Sequence, residues 1–301
     1  MLGYEGYAKI GGVTVLVTSA STSINRNRLD SGGAYGASYR NAIGAPHIYD
    51  YPIFEGNISF EVHSAIVPFI KDRVTDRKVP FSFNLYTGAE GNQFITNSYW
   101  TSLSIGASTD SPVVCTIAFM ATLRDSYRLP SGYFGNKYGR MSLSDFQSTD
   151  ELDSAQNTSP YPFWSTSVSG LSQVATWSVG LTQNFQPFFG CFGNNTEDPT
   201  NPRYLGIGVL NGQLDYTCYS LVRDQDFENG SIGTDANDIK NNFGFTNGRP
   251  TDKRKTFTIS LKGGEDLFTV IGEPIDPKNP LSGISNILTV ERSYQIYEVS
   301  V

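Results

Sequence analysis

Residues with the types and spacing that catalysis requires are scarce in this 301-residue sequence. The two histidines, His47 and His63, both lie in or beside segments with strand-like alternation. A single histidine in such a segment usually packs or forms a hydrogen bond. The spacing patterns of zinc proteases, serine hydrolases and phosphate-binding loops do not occur in the sequence. We therefore predict that the chain is not an enzyme and has no catalytic, cofactor-binding or metal-binding residues.

Two groups of carboxylates come closest to a catalytic or metal-binding pattern: Asp224, Asp226 and Glu228, and the pair Glu197 and Asp198. A glycosidase needs two carboxylates that face each other across a cleft, about 5–10 Å apart. A calcium loop of the helix–loop–helix type needs a glycine and a final glutamate at fixed positions, and the first group lacks both. Both groups are interpreted as solvated acidic loops.

Charge is unevenly distributed along the chain, whose 22 basic and 29 acidic residues give a net charge of −7. Residues 1–150 contain 12 of each sign, so the remaining 10 basic and 17 acidic residues place the whole excess in 151–301. Nucleic-acid binding usually requires a basic face, and the triplet Lys253, Arg254 and Lys255 is interpreted as a loop leading into a strand. The net negative charge argues against tight binding to DNA or to an anionic membrane, but it is compatible with a surface along which DNA slides.

Cysteine spacing and hydropathy indicate the cellular compartment in which the protein is made. Cys115, Cys191 and Cys218 are far apart and lack the spacing of a disulfide framework or a zinc site, so we expect reduced thiols. No stretch approaches the roughly 18 apolar residues of a membrane helix, and the N-terminus has no apolar leader region. We expect synthesis in a cytoplasm without export by a cleaved signal.

Short alternating runs, bounded by Gly, Pro, Asn, Asp or Ser, dominate the sequence and predict an all-β fold. The abundance of Tyr and Phe, with 17 and 19 residues, fits strands with one buried face. The runs cover residues 13–18, 58–62, 81–86, 101–105, 113–120, 174–179, 213–219, 256–261, 287–290 and 294–301.

One helix is predicted over residues 64–74, with Ser64 as its cap or Pro68 in its first turn. Phe69, Ile70 and Val74 would share one face of this helix. A weaker helical pattern covers residues 235–241. Residues 125–163 are rich in Ser, Gly, Asp and Tyr without periodicity, which is typical of a linker or a long exposed arm.

An internal repeat is suggested by the order of elements in the two halves of the chain. The sharpest match pairs residues 54–60, F-E-G-N-I-S-F, with residues 210–216, L-N-G-Q-L-D-Y. A turn glycine before an alternating strand is common, so the ordered series of matches carries more weight than any one of them. The alternative is a single large sandwich whose turns recur by chance.

The first half resembles a bacteriophage tail-tube domain. The resemblance rests on the opening G-Y-A-K-I-G-G-V-T-V-L-V-T, on F-E-G-N-I-S-F-E-V, on the predicted helix, and on the strand pair that begins W-T-S-L-S-I. The second half, with W-S-V-G-L-T and Q-P-F-F-G-C, resembles a diverged copy. The long 125–163 segment and the weak second helix depart from the family.

This resemblance implies two tandem tail-tube-like β-sandwich or barrel domains, each with a short flanking helix. The first domain would cover residues 1–128, a linker or arm 129–160, and the second domain 161–301. The family implies trimeric rings that imitate hexamers and stack into a virion tail tube, with DNA passing through the lumen. Other tail proteins would be partners: an initiator, a terminator, a tape measure and, in a contractile tail, a sheath. Candidate assembly residues are Phe69, Ile70, Arg73, Tyr133, Phe134 and Tyr138.

Three further functions remain open: a ring protein at the tube end, such as a hub or baseplate component, a carbohydrate-binding β-sandwich of a virion, and a capsid, spike or other β-rich structural protein. Trp100, Trp164 and Trp177 would stack on sugars in the second case, although tryptophans in strands more often anchor a core or an interface. We further expect an acidic or neutral lumen face. Deletion of residues 130–155 should impair assembly while leaving the domains folded.

Overall fold

The computed structural model is built mostly from β-strands, with one short α-helix. It describes residues 7–30, 48–86, 92–122, 159–169, 171, 174–188, 204–221, 245–246, 249–250, 254–261, 265–276 and 287–301. The strands are β1 (Tyr7–Ile10), β2 (Val13–Asp30), β3 (Ile48–Glu61), β4 (Phe81–Tyr86), β5 (Asn92–Ser108), β6 (Ser111–Thr122), β7 (Ser167–Val168), β8 (Val174–Phe188), β9 (Tyr204–Leu221), β10 (Phe245–Thr246), β11 (Arg249–Pro250), β12 (Lys255–Leu261), β13 (Glu265–Asp276) and β14 (Ile287–Ser300). The helix is α1 (Val67–Thr75).

The first six strands close into a barrel. Their order is β4-β1-β2-β3-β6-β5, and β5 pairs with β4 to complete the circle. Two parts of β5 pair with different strands along the same edge. The part from Asn92 to Ser98 pairs with β4, and the part from Ser102 to Ser108 pairs with β8. Through this second pairing the sheet continues as β8-β9-β14-β13-β12-β7.

The second half of the chain repeats five of the six strand pairs of the barrel, and a counterpart of the sixth pair, β1–β2, is not present among the described residues. The pairs β2–β3, β3–β6, β6–β5, β5–β4 and β4–β1 correspond to β8–β9, β9–β14, β14–β13, β13–β12 and β12–β7. Register agrees as well, since Gly56 lies opposite Phe119 in the first half and Gly212 lies opposite Ile296 in the second. The predicted match of residues 54–60 with 210–216 thus coincides with the correspondence of β3 and β9.

Sequence reasoning misplaced two strands of the second half. The counterpart of β5 is β13, which no predicted run covered, and residues 287–290 and 294–301 belong to the single strand β14. The polar residues Glu291 and Ser293 interrupt the apolar pattern, but pairing with Thr217 and Asp215 of β9 keeps this part of the chain extended. The weaker helical segment, 235–241, lies outside the described residues.

Helix α1 follows a turn of 3₁₀ helix at Ser64–Ile66, and Pro68 lies in its first turn, where proline removes no helical hydrogen bond. Ser64 therefore starts the 3₁₀ turn and does not cap the α-helix. Phe69, Ile70 and Val74 are buried together, as the spacing predicted. The Phe69 ring packs edge-on against Phe81 of β4, with 5.6 Å between ring centroids.

Residues 159–169 connect the two halves of the sheet. The Tyr161 N–H donates to the carbonyl of Val62, and the Val113 N–H donates to the carbonyl of Tyr161, both at 2.8 Å. The Tyr161 hydroxyl reaches Glu265 of β13, and the Ser169 N–H donates to Thr258 of β12. Tyr161, the first residue of the predicted second domain, therefore forms main-chain hydrogen bonds with the first half.

Candidate assembly surface

The eight long strands β2-β3-β6-β5-β8-β9-β14-β13 are consecutive in the twelve-stranded sheet, and this eight-stranded part has an apolar side and a polar side. On the apolar side one row of paired residues crosses from the first half to the second, and its large members are almost fully buried: Ile58, Ile117, Leu103, Leu181 and Ile296. Because Leu103 and Leu181 are direct partners, the cores of both halves lie on the same side of the sheet. Each fully buried Leu or Ile contributes about 1.5–3 kcal/mol to stability.

The opposite side, which we call the polar face, is defined by three rows of cross-strand partners. The central row spans all eight strands. Its members are Ser19, Ser59, Thr116, Ser104, Gly180, Gln213, Gln295 and Glu273. The flanking rows are Ser21, Asn57, Ala118, Ser102, Thr182 and Asn211 on one side, and Glu61, Val114, Gly106, Ser178, Asp215 and Ser293 on the other.

Side chains of the polar face bond to one another across strands. The hydroxyls of Ser59 and Thr116 are 2.8 Å apart, and at the corresponding place in the second half Ser293 donates to Asp215 at 2.5 Å. The three rows contain the carboxylates Glu61, Asp215 and Glu273 and no lysine or arginine. The polar face is therefore neutral to acidic over both halves, within the described residues.

The junction between β5 and β8 leaves no room for a side chain at Gly106. A Cβ atom on Gly106 would lie 2.6 Å from the Trp177 carbonyl oxygen and 2.9 Å from the Ser178 Cβ, so a side chain there would force the strands apart. Near the point where β5 changes partner, the Gln183 side chain donates from Nε2 to the Trp100 carbonyl at 2.6 Å. Trp100 in turn donates from its indole nitrogen to the Arg73 carbonyl of α1 at 2.9 Å.

Two edges of the eight-stranded sheet have no strand partner in the described part of the chain. On β2, the edge that pairs with β1 does so only from Val13 to Leu16, so its continuation to Asp30 is open. On β13, the edge that pairs with β12 does so from Glu265 to Gly272, which leaves the stretch from Glu273 to Asp276 open. Exposed edges of this kind offer unpaired backbone donors and acceptors to another chain.

Three of the six predicted assembly residues are buried within the chain. Phe69 and Ile70 belong to the core, and Arg73 is 8 % exposed. The Arg73 guanidinium donates from Nη1 to the carbonyls of Val79 at 2.6 Å and Pro80 at 3.3 Å, and it lies 5.4 Å from the Phe69 ring centroid. It thereby ties α1 to the start of β4. The other three, Tyr133, Phe134 and Tyr138, lie outside the described residues.

His63 and Cys115, two residues whose types could do chemistry, are both buried within the fold. His63 is buried and its Nε2 lies 3.1 Å from the Thr14 carbonyl, and burial lowers the pKa of its imidazole against the opposing effect of that hydrogen bond. Cys115 is a buried free thiol whose pKa is raised by burial. No three His, Cys, Asp or Glu side chains among the described residues are grouped to hold a metal ion. His47, Cys191 and the two acidic groups lie outside the described side chains.

The tryptophans divide between core and surface. Trp100 and Trp177 are buried, and the Trp177 indole donates to Thr166 at 2.9 Å. Trp164, in the 3₁₀ turn Phe163–Ser165, is 74 % exposed.

None of the helices in the described parts of the chain has the length and apolar character needed to span a bilayer.

Sequence reasoning missed the residues that organise this surface. Gln183 looked like any polar residue of a strand, and Gly106, at the junction, carried no distinguishing motif. Their roles depend on which strands become neighbours, and alternation within one strand does not contain that information.

No family model matches the sequence. No curated protein is significantly similar to it.

Proposed function

We propose that this chain is a structural subunit of a bacteriophage tail tube, in which copies assemble into rings around a channel lined by the polar face. The observation that carries the proposal is the single eight-stranded sheet made of two corresponding halves, with both cores on one side and a face without described cations on the other. Such a sheet can be continued by further copies, because its first half already accepts the second as an added set of strands.

The surface chemistry fits a channel for DNA. DNA carries one negative charge per about 1.7 Å of its axis, so lysine or arginine along the wall would bind phosphates and retard its passage. Small neutral side chains with a few carboxylates bind it weakly, because like charges repel. The charge balance of the sequence led us to expect a neutral or acidic lumen, and the proposal places the polar face there.

Two corresponding halves in each chain suit a ring of three copies, since three chains then supply six similar units. In this proposal the two halves are the tandem tail-tube-like domains, derived from a common ancestral unit, and only the first has the described helix. The subunit resides in the virion tail and contacts itself and other tail proteins: an initiator, a terminator, a tape measure and, in a contractile tail, a sheath. Stacking rings head to tail repeats one contact indefinitely and gives a filament.

The test is negative-stain electron microscopy of the purified protein over a range of concentrations, with light scattering for mass. Hollow tubes whose repeating unit has the mass of three chains support the proposal. Single rings that never stack would favour the alternative of a tube-end hub or baseplate protein. A monomer at every concentration, also in the presence of the other tail proteins, would overturn ring assembly.

A second candidate function, carbohydrate binding, is favoured by the exposed Trp164, because an exposed indole offers a flat apolar surface to a sugar ring. A glycan array discriminates between the two functions. Binding that is lost in Trp164→Ala, by a discrete species that forms no rings, would favour this second function over the tube.

A further inference from the structure

The two open edges of the sheet correspond to the two edges that are already joined inside the chain. β2 corresponds to β8, and β13 corresponds to β5, by pairing order and by register around Gly56 and Gly212. Within the chain, β5 and β8 are paired from Ser102 to Ser108. The open stretch of β13 begins just after its pairing with β12 stops at Gly272, as the β8-paired stretch of β5 begins shortly after its pairing with β4 stops at Ser98.

We propose that β13 of one copy pairs with β2 of a second copy of this chain, antiparallel and in the register that joins β5 to β8. This inference rests on the proposed ring assembly and names the strands and register of its contact. Each copy offers one β13 edge and one β2 edge, so every contact is of the same heterologous kind and a closed ring leaves neither edge open.

The register follows from tracing equivalent residues across the sheet. Ser102 pairs with Ala118, which pairs with Asn57, the residue after Gly56. Glu273 pairs with Gln295, which pairs with Gln213, the residue after Gly212. Glu273 therefore holds the position of Ser102.

The same tracing assigns the partner position on β2. Thr182 pairs with Asn211 and Ser23 pairs with Glu55, and Asn211 and Glu55 each precede the matching glycine. Ser23 thus holds the position of Thr182. Because Ser102 and Thr182 are partners within the chain, Glu273 of one copy should lie opposite Ser23 of the next.

A second pair tests the same register further along. Ser104 pairs with Gly180, and their equivalents are Asp276 and Ser21. Between these positions Pro274 takes the place of Leu103 and has no N–H to donate, and Ile275 is an extra residue at a bulge that β5 lacks. The contact between copies therefore has fewer possible hydrogen bonds than the internal junction, and an edge proline also discourages pairing with unrelated strands.

In this register the second copy extends the polar face without interruption. Ser21 and Ser23 are exposed on the polar-face side of β2, and Glu273 lies on the same side of β13. The cores remain on the other side of the sheet, as they do at the internal junction. A contact in the register shifted by one residue would instead turn polar side chains of one copy towards the core side of the next.

Disulfide cross-linking of the full chain tests the register. Ser23→Cys with Glu273→Cys should give disulfide-linked oligomers on oxidation, visible in non-reducing electrophoresis and lost on reduction. Ser102→Cys with Thr182→Cys reports the internal junction, should form within one chain, and calibrates how well this pair geometry cross-links. The shifted pair Thr22→Cys with Glu273→Cys and the two single variants are controls, and they should give at most background linkage through the native cysteines.

The outcomes separate this inference from the proposed function. Rings in the microscope together with linked oligomers from the Ser23–Glu273 pair support both. Rings without that linkage, while the Ser102–Thr182 pair links normally, overturn the strand contact and leave ring assembly standing. Stronger linkage in the shifted pair overturns the register, and the absence of both rings and linkage overturns both proposals.

Discussion

Gly56 and Gly212 occupy equivalent positions in the two halves of the chain, and neither position has room for a side chain. A Cβ atom on Gly56 would collide with the Ser21 carbonyl oxygen and lie 2.8 Å from the Phe119 ring, and a Cβ on Gly212 would lie 2.8 Å from Leu181 and 3.0 Å from Ile296. At both places the absent side chain makes room for the large residue of the neighbouring strand. Sequence reasoning singled out these glycines as turn residues, whereas the structure places each inside a long strand.

Gly56→Ala and Gly212→Ala should each lower the free energy of unfolding by about 1–3 kcal/mol, because added atoms in a packed site force strands or side chains apart. Urea unfolding followed by tryptophan fluorescence measures the change. Gly180→Ala is the matched control, since a Cβ there meets nothing within 4 Å, and its effect should stay within about 0.5 kcal/mol. Equal losses in all three variants would contradict this explanation.

Gln183 is a second residue whose effect is local and measurable. Gln183→Ala leaves the buried Trp100 carbonyl without the donor now 2.6 Å away, and we expect a loss of about 1–3 kcal/mol in unfolding free energy. Gln213→Ala, at an exposed position where the amide bonds to Asp215, should cost much less. A Gln183 variant as stable as the parent protein would show that the carbonyl finds another donor.

His63 should make stability fall on acidification. Burial lowers the imidazole pKa in the folded state below its usual value near 6.5, so the unfolded chain binds protons more readily. The stabilising effect is complete above about pH 6.5 and is lost as the pH falls through the lowered pKa. His63→Gln should flatten the decline of unfolding free energy between about pH 7.5 and pH 5. An unchanged slope would assign the decline to other groups.

Among the elements, helix α1 has the clearest supporting contacts. It is held to β4 by the Arg73 guanidinium and to β5 by the Trp100 indole. The sequence predicted the position and buried face of this helix correctly because its apolar spacing is local. It could not show that Arg73 points into the structure, since a long cationic side chain at that spacing would equally suit an interface.

Arg73→Met should lower the unfolding free energy by about 1–3 kcal/mol, because the carbonyls of Val79 and Pro80 lose their donor. At temperatures where the variant stays folded, light scattering should show assembly close to that of the parent protein. Lys71→Met on the same helix is the control and should be nearly neutral for stability. Unchanged stability with abolished assembly would instead assign Arg73 to the interface, as the sequence hypothesis had it.

The limits of sequence reasoning are clearest for β13 and β14. Fold class followed from alternating runs, because alternation records which side of a strand is buried. β13 escaped notice since Gly272, Glu273 and Pro274 interrupt its pattern, and the two runs of β14 looked separate. The closed barrel, the β5–β8 junction and the polar face all depend on contacts between distant segments, which composition and local spacing do not record.

At the scale of the whole molecule, the proposed channel depends on the charge of the polar face. Lysines introduced at Ser104 and Thr182 should leave the fold intact, because both positions lie on the polar face away from the cores. They should convert assembled protein from one that does not retain DNA into one that does, with retention falling steeply as salt rises. Gel mobility of labelled duplex DNA measures this, and Ser82→Lys on β4 is the control. Equal DNA retention by the control would contradict a special role for the polar face.

Closure of the barrel formed by β1 to β6 also has a consequence for synthesis on the ribosome. All of its pairings use residues up to Thr122, so it can form while the rest of the chain is still being translated. Strand β8, which pairs with the later part of β5, ends at Phe188, 66 residues after Thr122 (188 − 122). Translation of these residues takes roughly 3–13 s at about 5–20 residues per second. During that interval the nascent barrel displays a free β5 edge beside neighbouring nascent chains whose β2 corresponds to β8. The peptide tether resolves the competition, because an attached strand has an effective concentration of order millimolar, far above that of neighbouring chains.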